Sequence, residues 1–458
     1  MVMPTRFLRV AMAGAMLLPA SGHAWADQPN QTTPAPASLW QRDALFGSWG
    51  GLKSWLAGNG VTLGATEQAV PSNVLGGGAR QGNAFSGLLT LSTRADLARY
   101  TGISGLTAYV SAWVAQGHGP TAYTVHSLSG LAYVEAPDGA RLADAYLSWR
   151  APHDAIHVKL GKFGIDENFD QNPAAATLLD SNFTYRDIMA NNLPGGGPAY
   201  SYEGPGAMLA VQATKPLRLR IGLFGGDPLG RPLEGPPPPA RDAGGLAFPL
   251  DVGALAIAEA DYAYRLPDFG KGKFLIGGLY DTLARPDLLV SASGRSLARS
   301  DPAPARQDRG EYVLYAGDTQ TIWHGTGKRR LRGFARIAYA PPAQNLISLD
   351  AQAGVVLDAP FTARPGDSAA FAVAYEKISA RKVSFVRAQN RLAGTPAPIP
   401  SGETDIELDY NAALAPWLTA TPDLQYIVHP GGGIADPNDP PRREPNAVLV
   451  QLQLTIAF

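Results

Sequence analysis

The chain closes on Ala447-Val448-Leu449-Val450-Gln451-Leu452-Gln453-Leu454-Thr455-Ile456-Ala457-Phe458. From Val448 every second residue is apolar: Val448, Val450, Leu452, Leu454, Ile456 and Phe458. Gln451, Gln453 and Thr455 fall between them. This is the period-two pattern of a strand with one apolar and one polar face. It stops at an aromatic residue, with nothing after it to cover the apolar face. An outer-membrane β-barrel uses such a strand last, apolar toward lipid and polar toward the lumen. An edge strand of a soluble sandwich alternates in the same way, so the rest of the chain has to decide.

The opposite end agrees with export. Arg6 and Arg9 precede an uncharged apolar run, Val10–Leu18, and Ala24-Trp25-Ala26 fits a small-x-small cleavage site before Asp27. The run is far short of the ~20 residues that span a bilayer as a helix, so residues 1–26 are expected to be a signal peptide. Its removal leaves 36 basic side chains against 39 acidic ones, about −3 with His neutral. Nothing in that balance suggests a nucleic-acid partner. Residues 27–45 are expected to form a flexible N-terminal segment, and 46–458 the barrel.

Composition narrows the class. The chain has no cysteine, which removes disulfides, thiol catalysis and thiolate metal sites. Gly (51) and Pro (39) are frequent and charged residues few (17%), as suits many short strands punctuated by turns. No later run of 18 apolar residues occurs, so only a closed barrel could cross a membrane. The expected fold is all-β: a transmembrane antiparallel β-barrel of sixteen strands, with eighteen as the alternative.

Alternation recurs along the chain from Val61. Leu89, Leu91, Ala95 and Leu97 oppose Thr90, Ser92, Arg94 and Asp96. Ala145, Leu147 and Trp149 oppose Asp144, Tyr146, Ser148 and Arg150. Val158 and Leu160 oppose His157 and Lys159, and Leu217, Leu219, Ile221 and Leu223 oppose Arg218 and Arg220. Trp149, Tyr264, Tyr280, Tyr339, Tyr375 and Phe458 are candidates for interfacial aromatic girdles. Residues 46–59 (FGSWGGLKSWLAGN) read as a short amphipathic turn or helix. Irregular stretches fall at 165–205, 225–250, 282–310 and 429–446. Long barrel loops are extracellular, and 165–205 is the candidate segment for narrowing a pore.

Enzyme and metal signatures are weak. Ser379-Ala380-Arg381-Lys382 has the S-x-x-K spacing of penicillin-binding enzymes, but sits between strand-like segments without helix context or companion motifs. Gly325-Thr326-Gly327-Lys328 lacks phosphate-loop spacing. Asp436, Asn438 and Asp439 fall among prolines that argue for a plain turn rather than a calcium loop. His153 and His157 are the two histidines spaced i,i+4, but His157 falls in a strand-like alternating segment rather than on a helix face, so the spacing does not point to zinc. No catalytic residue, cofactor or metal site is assigned.

Asn192-Leu193-Pro194-Gly195-Gly196-Gly197-Pro198-Ala199-Tyr200 with Gly204-Pro205-Gly206 resembles a segment of the carbohydrate-selective porins of the OprB type. Other stretches match that family in order: Leu45–Leu52 with Gly60–Leu63, Leu160-Gly161-Lys162-Phe163, Phe224-Gly225-Gly226-Asp227-Pro228, Leu424-Gln425-Tyr426, His429-Pro430-Gly431-Gly432 and Asn446-Ala447. The resemblance covers residues 40–458. Ser201-Tyr202-Glu203 and the segment 123–140 depart from it. The resemblance implies a sixteen-stranded barrel admitting glucose-like sugars by facilitated diffusion. Phe458 resembles the terminal signal read by the barrel-assembly machinery.

A sugar channel needs hydrogen-bonding groups around hydroxyls and aromatic faces against C–H surfaces, with binding weak enough for release. Arg94, Asp96, Lys159, Arg218 and Arg220 are the lumen-facing candidates for sugar contact. The expected partners are sugars, outer-membrane lipid, the assembly machinery and, in a homotrimer, two further copies of the chain. The location is the outer membrane of a Gram-negative bacterium. Rival readings are a barrel plugged by its loops, with a binding, adhesion or export role, and an outer-membrane hydrolase.

Overall fold

The computed structural model describes residues 38–231, 238–299, 303–394 and 397–458. The expected signal peptide lies outside them. After a short helix, Leu52–Gly58, the strands run in chain order. The first eight are β1 (Val61–Gly76), β2 (Gly82–Asp96), β3 (Leu106–His118), β4 (Gly139–Arg150), β5 (Ile156–Phe163), β6 (Gly204–Gln212), β7 (Leu217–Gly225) and β8 (Ala254–Leu266). The second eight are β9 (Gly270–Ser291), β10 (Ala305–His324), β11 (Arg330–Tyr339), β12 (Ile347–Asp358), β13 (Ser368–Ile378), β14 (Gly402–Ala415), β15 (Leu418–Val428) and β16 (Ala447–Ala457). Each pairs antiparallel with its neighbour in sequence, and β16 returns to β1 to close the ring of sixteen.

Closure is set by the terminal strand. Gln451 lies opposite Ser72 and Leu454 opposite Ala69, and the Phe458 N–H donates to Ala65 O at 2.9 Å. The Phe458 ring stacks on Phe46, with centroids 5.4 Å apart. A ring of strands leaves no unpaired backbone edge in hydrocarbon. Among the described residues no helix is long and apolar enough to cross a membrane.

The sidedness follows the alternation. Leu219, Ile221 and Leu223 are exposed on the outside of β7, and Leu408 and Leu424 on β14 and β15. Asp350, Gln352, Glu407, Gln425 and Gln451 are buried on the inner face. Tyr280, Tyr339 and Tyr375 are exposed outward. Tyr264 shares the outer face of β8 with exposed Tyr262 and Leu266, and its hydroxyl donates to Asp318. The long connections, 119–138, 164–203, 226–253, 379–401 and 429–446, all leave the same rim, which is extracellular by their length. Gly161 shows why a small residue is needed in β5: its φ is +138°, and a Cβ there would meet Ala145 O at 2.3 Å.

Two expectations fail. Residues 282–310 are not one irregular stretch, because β9 and β10 continue to Ser291 and from Ala305. Pro286 pairs with Gln307 beside a bulge, where its missing N–H costs no regular ladder bond. Ser379 does have a helix after it, Ala380–Ala393. Its hydroxyl caps that helix, accepting from Lys382 N at 3.3 Å. The Arg, Lys, Gln and Ala content of 380–393 favours helix over the strand the spacing suggested.

Candidate functional site

Two of the long connections turn inward. Residues 164–203 cross the lumen and pack on the inner faces of β8 and β10–β14. Arg186, with no exposed surface, pairs with Asp170 within the segment and with Asp350 on β12 at 3.4 Å, and donates to Ala316 O at 3.0 Å. Arg336 on β11 reaches the same Asp170 at 2.8 Å and donates to Phe183 O at 2.8 Å. Burial pushes the Asp170 carboxyl up, but the two guanidinium groups outweigh it and hold it below the usual range. Glu407 accepts the N–H groups of Leu179 and Asp180 at 2.5 and 3.2 Å. Asn192 exchanges two hydrogen bonds with the Ile347 backbone, at 2.7 and 3.1 Å. Ala370, Ala372 and Ala374 of β13 are small enough for Ala174, Ala175, Leu178 and Phe183 to pack directly on that wall.

Residues 119–138 cover the seam next to it. Leu131 O accepts from the side-chain amides of Gln425 and Gln451 at 2.9 and 2.7 Å. Glu403 accepts from the Ser127 hydroxyl and Leu128 N. With one side of the lumen filled, the open space lies against β1–β4.

That space is a cavity of about 630 Å³, inside the ~300–1,000 Å³ range of small-molecule sites. Gln68, Thr90, Tyr109, Ser111, Trp113 and Asp144 line it from the barrel. Tyr133, Glu135, Asp166, Glu167, Tyr185, Asp187, Tyr200 and Glu203 line it from the two inward segments. Tyr200, the end of the Gly-Pro motif, sets its ring 4.6 Å from Trp113 and donates to Val134 O at 2.8 Å. The Ser111 hydroxyl donates to Asp144 at 2.7 Å. All six charged residues of the lining are carboxylates: Glu135, Asp144, Asp166, Glu167, Asp187 and Glu203.

Burial pushes the Glu135 carboxyl up to about 7, against hydrogen bonds from Thr121 and Ala132. It pushes Asp166 up to about 6, against the bond from Tyr200 N. A raised carboxyl is neutral below its pKa, so the cavity gains negative charge as pH rises through these two values. Cation preference, read as the reversal potential in a salt gradient, is expected to be larger above pH 7 than below pH 6. A reversal potential constant over that interval would place both groups away from the ion path.

The five candidates picked from alternation divide. Arg94 and Lys159 stand at the periplasmic edge of the cavity. The Arg94 guanidinium lies 5.4 Å from the Tyr109 ring centre, and Lys159 Nζ lies 3.9 Å from the Tyr146 ring centre and 3.9 Å from Glu167. Asp96 accepts Ala98 N at 3.0 Å in the β2–β3 turn. Arg218 pairs with Asp154 of a periplasmic turn at 2.6 Å. Arg220 pairs with Glu259 and Asp261 on the neighbouring strand β8. The last three are held by local partners outside the cavity lining. Asp144 and Tyr146 were marked inward by alternation. The Glu135, Tyr185, Asp187 and Glu203 contributions depend on how the connections fold inward, which no period reports.

A family model described as carbohydrate-selective porin, OprB family, matches residues 80–458. This chain belongs to that family. It is a porin of the Gram-negative outer membrane. The porin is 26% identical over 314 residues to Porin B of Pseudomonas aeruginosa, an alignment spanning 64% of each chain. Its fold matches a solved structure of Pseudomonas putida OprB at high pH with a TM-score of 0.80 and 21% identity. That match covers 91% of this porin and 99% of the other chain. The same protein at low pH matches with a TM-score of 0.53 and 16% identity.

Proposed function

We propose that this porin admits neutral sugars, glucose-like monosaccharides among them, by facilitated diffusion and performs no chemistry on them. The observation that carries the reading is the cavity lining: aromatic rings of Tyr109, Trp113, Tyr185 and Tyr200 interleaved with six carboxylates and no cationic side chain. Sugar hydroxyls donate to carboxylates, and the C–H faces of the ring lie against aromatic surfaces. Those carboxylates that are ionised repel anions, so sugar acids and sugar phosphates are disfavoured relative to neutral sugars, the more so as pH rises through the Glu135 and Asp166 values. Insertion by the barrel-assembly machinery into outer-membrane lipid belongs to the same reading, with Phe458 as the terminal signal. A homotrimer is compatible with it.

Liposome swelling tests the reading. Vesicles holding the folded porin should swell faster in an isotonic neutral monosaccharide than in the corresponding sugar acid. Equal rates would remove the charge argument, and no swelling with either would favour a barrel plugged by its loops.

Arg94 supplies a sharper test. Its guanidinium is exposed to the lumen beside Tyr109 and forms no ion pair among the described residues. Arg94→Ala removes fixed donors and a positive charge. Sugar block of ion current should weaken and cation preference should rise, with assembly intact, because a lumen face tolerates such a change. Unchanged block and selectivity in a folded Arg94→Ala barrel would put the constriction in 164–203 alone.

A further inference from the structure

Strand β14 turns four carboxylates inward in alternation: Glu403, Asp405, Glu407 and Asp409. Asp423 on β15 lies directly opposite Asp409, and Gln425 directly opposite Glu407. Carboxylate oxygens of Glu407, Asp409 and Asp423 all lie within 4.8 Å of one another. The arginines of this wall, Arg186 and Arg336, are spent on Asp170 and Asp350. Three carboxylates so close in a buried setting repel each other strongly unless they share protons or something positive sits between them.

A second observation is independent of the acids. Gln425 is a neutral amide, 1% exposed. Its Nε2 donates to Leu131 O, but its Oε1 has no hydrogen-bond partner. Both oxygens of Asp409 and the Oδ2 of Asp423 are also without partners. The inner face therefore gathers anionic and neutral oxygens with no donor aimed at them, the ligand type of a hard divalent cation. The remaining capacity is already used for holding the inward segments. Glu407 accepts Leu179 N and Asp180 N, while Asp423 Oδ1 accepts from Gln451, whose Nε2 also reaches Leu131 O.

We propose that Glu407, Asp409, Asp423 and Gln425 Oε1 bind one divalent cation of the calcium class on the inner barrel wall. The ion would sit beneath both inward segments and order the side chains that grip Leu131, Leu179 and Asp180. It is a structural site, separate from the sugar path, and stands whether or not the porin prefers neutral sugars.

The test uses the full chain folded in detergent, stripped with EDTA and dialysed. Calcium titration by calorimetry should show a saturable site and raise the unfolding temperature. Asp409→Asn and Asp423→Asn should each weaken calcium binding by at least about tenfold. Asp405→Asn, in the neighbouring group Glu376, Glu403 and Asp405, should leave it unchanged. A further sign separates an ion from shared protons. In EDTA, Asp409→Asn removes a like charge and should unfold no earlier than the unmutated porin, whereas in calcium it should unfold earlier. The proposal is overturned by absence of saturable calcium binding to the unmutated porin, a measurement that needs no variant to fold. It is equally overturned if Asp409→Asn binds as tightly as the parent, or if Asp405→Asn rather than Asp409→Asn abolishes binding.

Discussion

Replacing Arg186 with alanine is expected to widen the channel and raise its single-channel conductance severalfold, while the barrel stays closed. Arg186 is fully buried, and its guanidinium ties Asp170, Asp350 and Ala316 O together across 164–203 and the barrel wall. Removing one partner of a buried ion pair leaves uncompensated charge and costs about 3–5 kcal/mol. The cost falls on docking of the segment, because the strand ladder from β1 to β16 does not run through Arg186. Arg336 still reaches Asp170, so the segment should loosen rather than leave. Arg186→Lys keeps the charge but loses the planar fork, and should fall between parent and alanine variant. Conductance of the folded Arg186→Ala porin equal to that of the parent would show that the hydrogen bonds of Glu407 and Asn192 hold the segment without this ion cluster.

Phe458→Asp should cause the largest loss of folded protein in the outer membrane. The terminal strand closes the ring, and its last ring stacks on Phe46 while its N–H binds Ala65 O. A carboxylate there loses the stack and brings charge to the apolar boundary of the barrel. Heat-modifiable folded porin in outer-membrane fractions should drop sharply, with the chain accumulating before insertion. Parental amounts would show that the remaining residues of β16 suffice for closure and for recognition.

How legible this was depends on which physical signal each residue carried. Period two in Ala447–Phe458 reports a pleated strand between lipid and lumen, and β16 follows it residue by residue. The same holds for Leu219, Ile221 and Leu223 against Arg218 and Arg220. Alternation gives the face, however, and not the partner. Arg218, Arg220 and Asp96 all turn from the lipid side as expected, yet Asp154, Glu259 with Asp261, and the Ala98 N–H take them up. Which partner meets each of them, an acid across the strand or turn for the arginines and a turn N–H for Asp96, follows from register and turn geometry that sequence spacing does not expose. Pro286 hid a continuing strand, because a bulge can absorb a proline that a regular ladder cannot. The inward fold of 164–203 was legible only as length and irregularity. Its seat on Ala370, Ala372 and Ala374 depends on a row of small inward residues that reads as unremarkable alternation.

The central claim is that a water-filled path runs past a cavity of carboxylates and aromatic rings that takes neutral sugars and disfavours anions. Single-channel recording in planar bilayers tests it most directly. The account predicts stable open steps, a reversal potential favouring potassium over chloride, and current reduced in graded fashion by a neutral monosaccharide but not by a sugar acid. Absence of steps, or a channel that prefers chloride and is blocked by the acid alone, would contradict it.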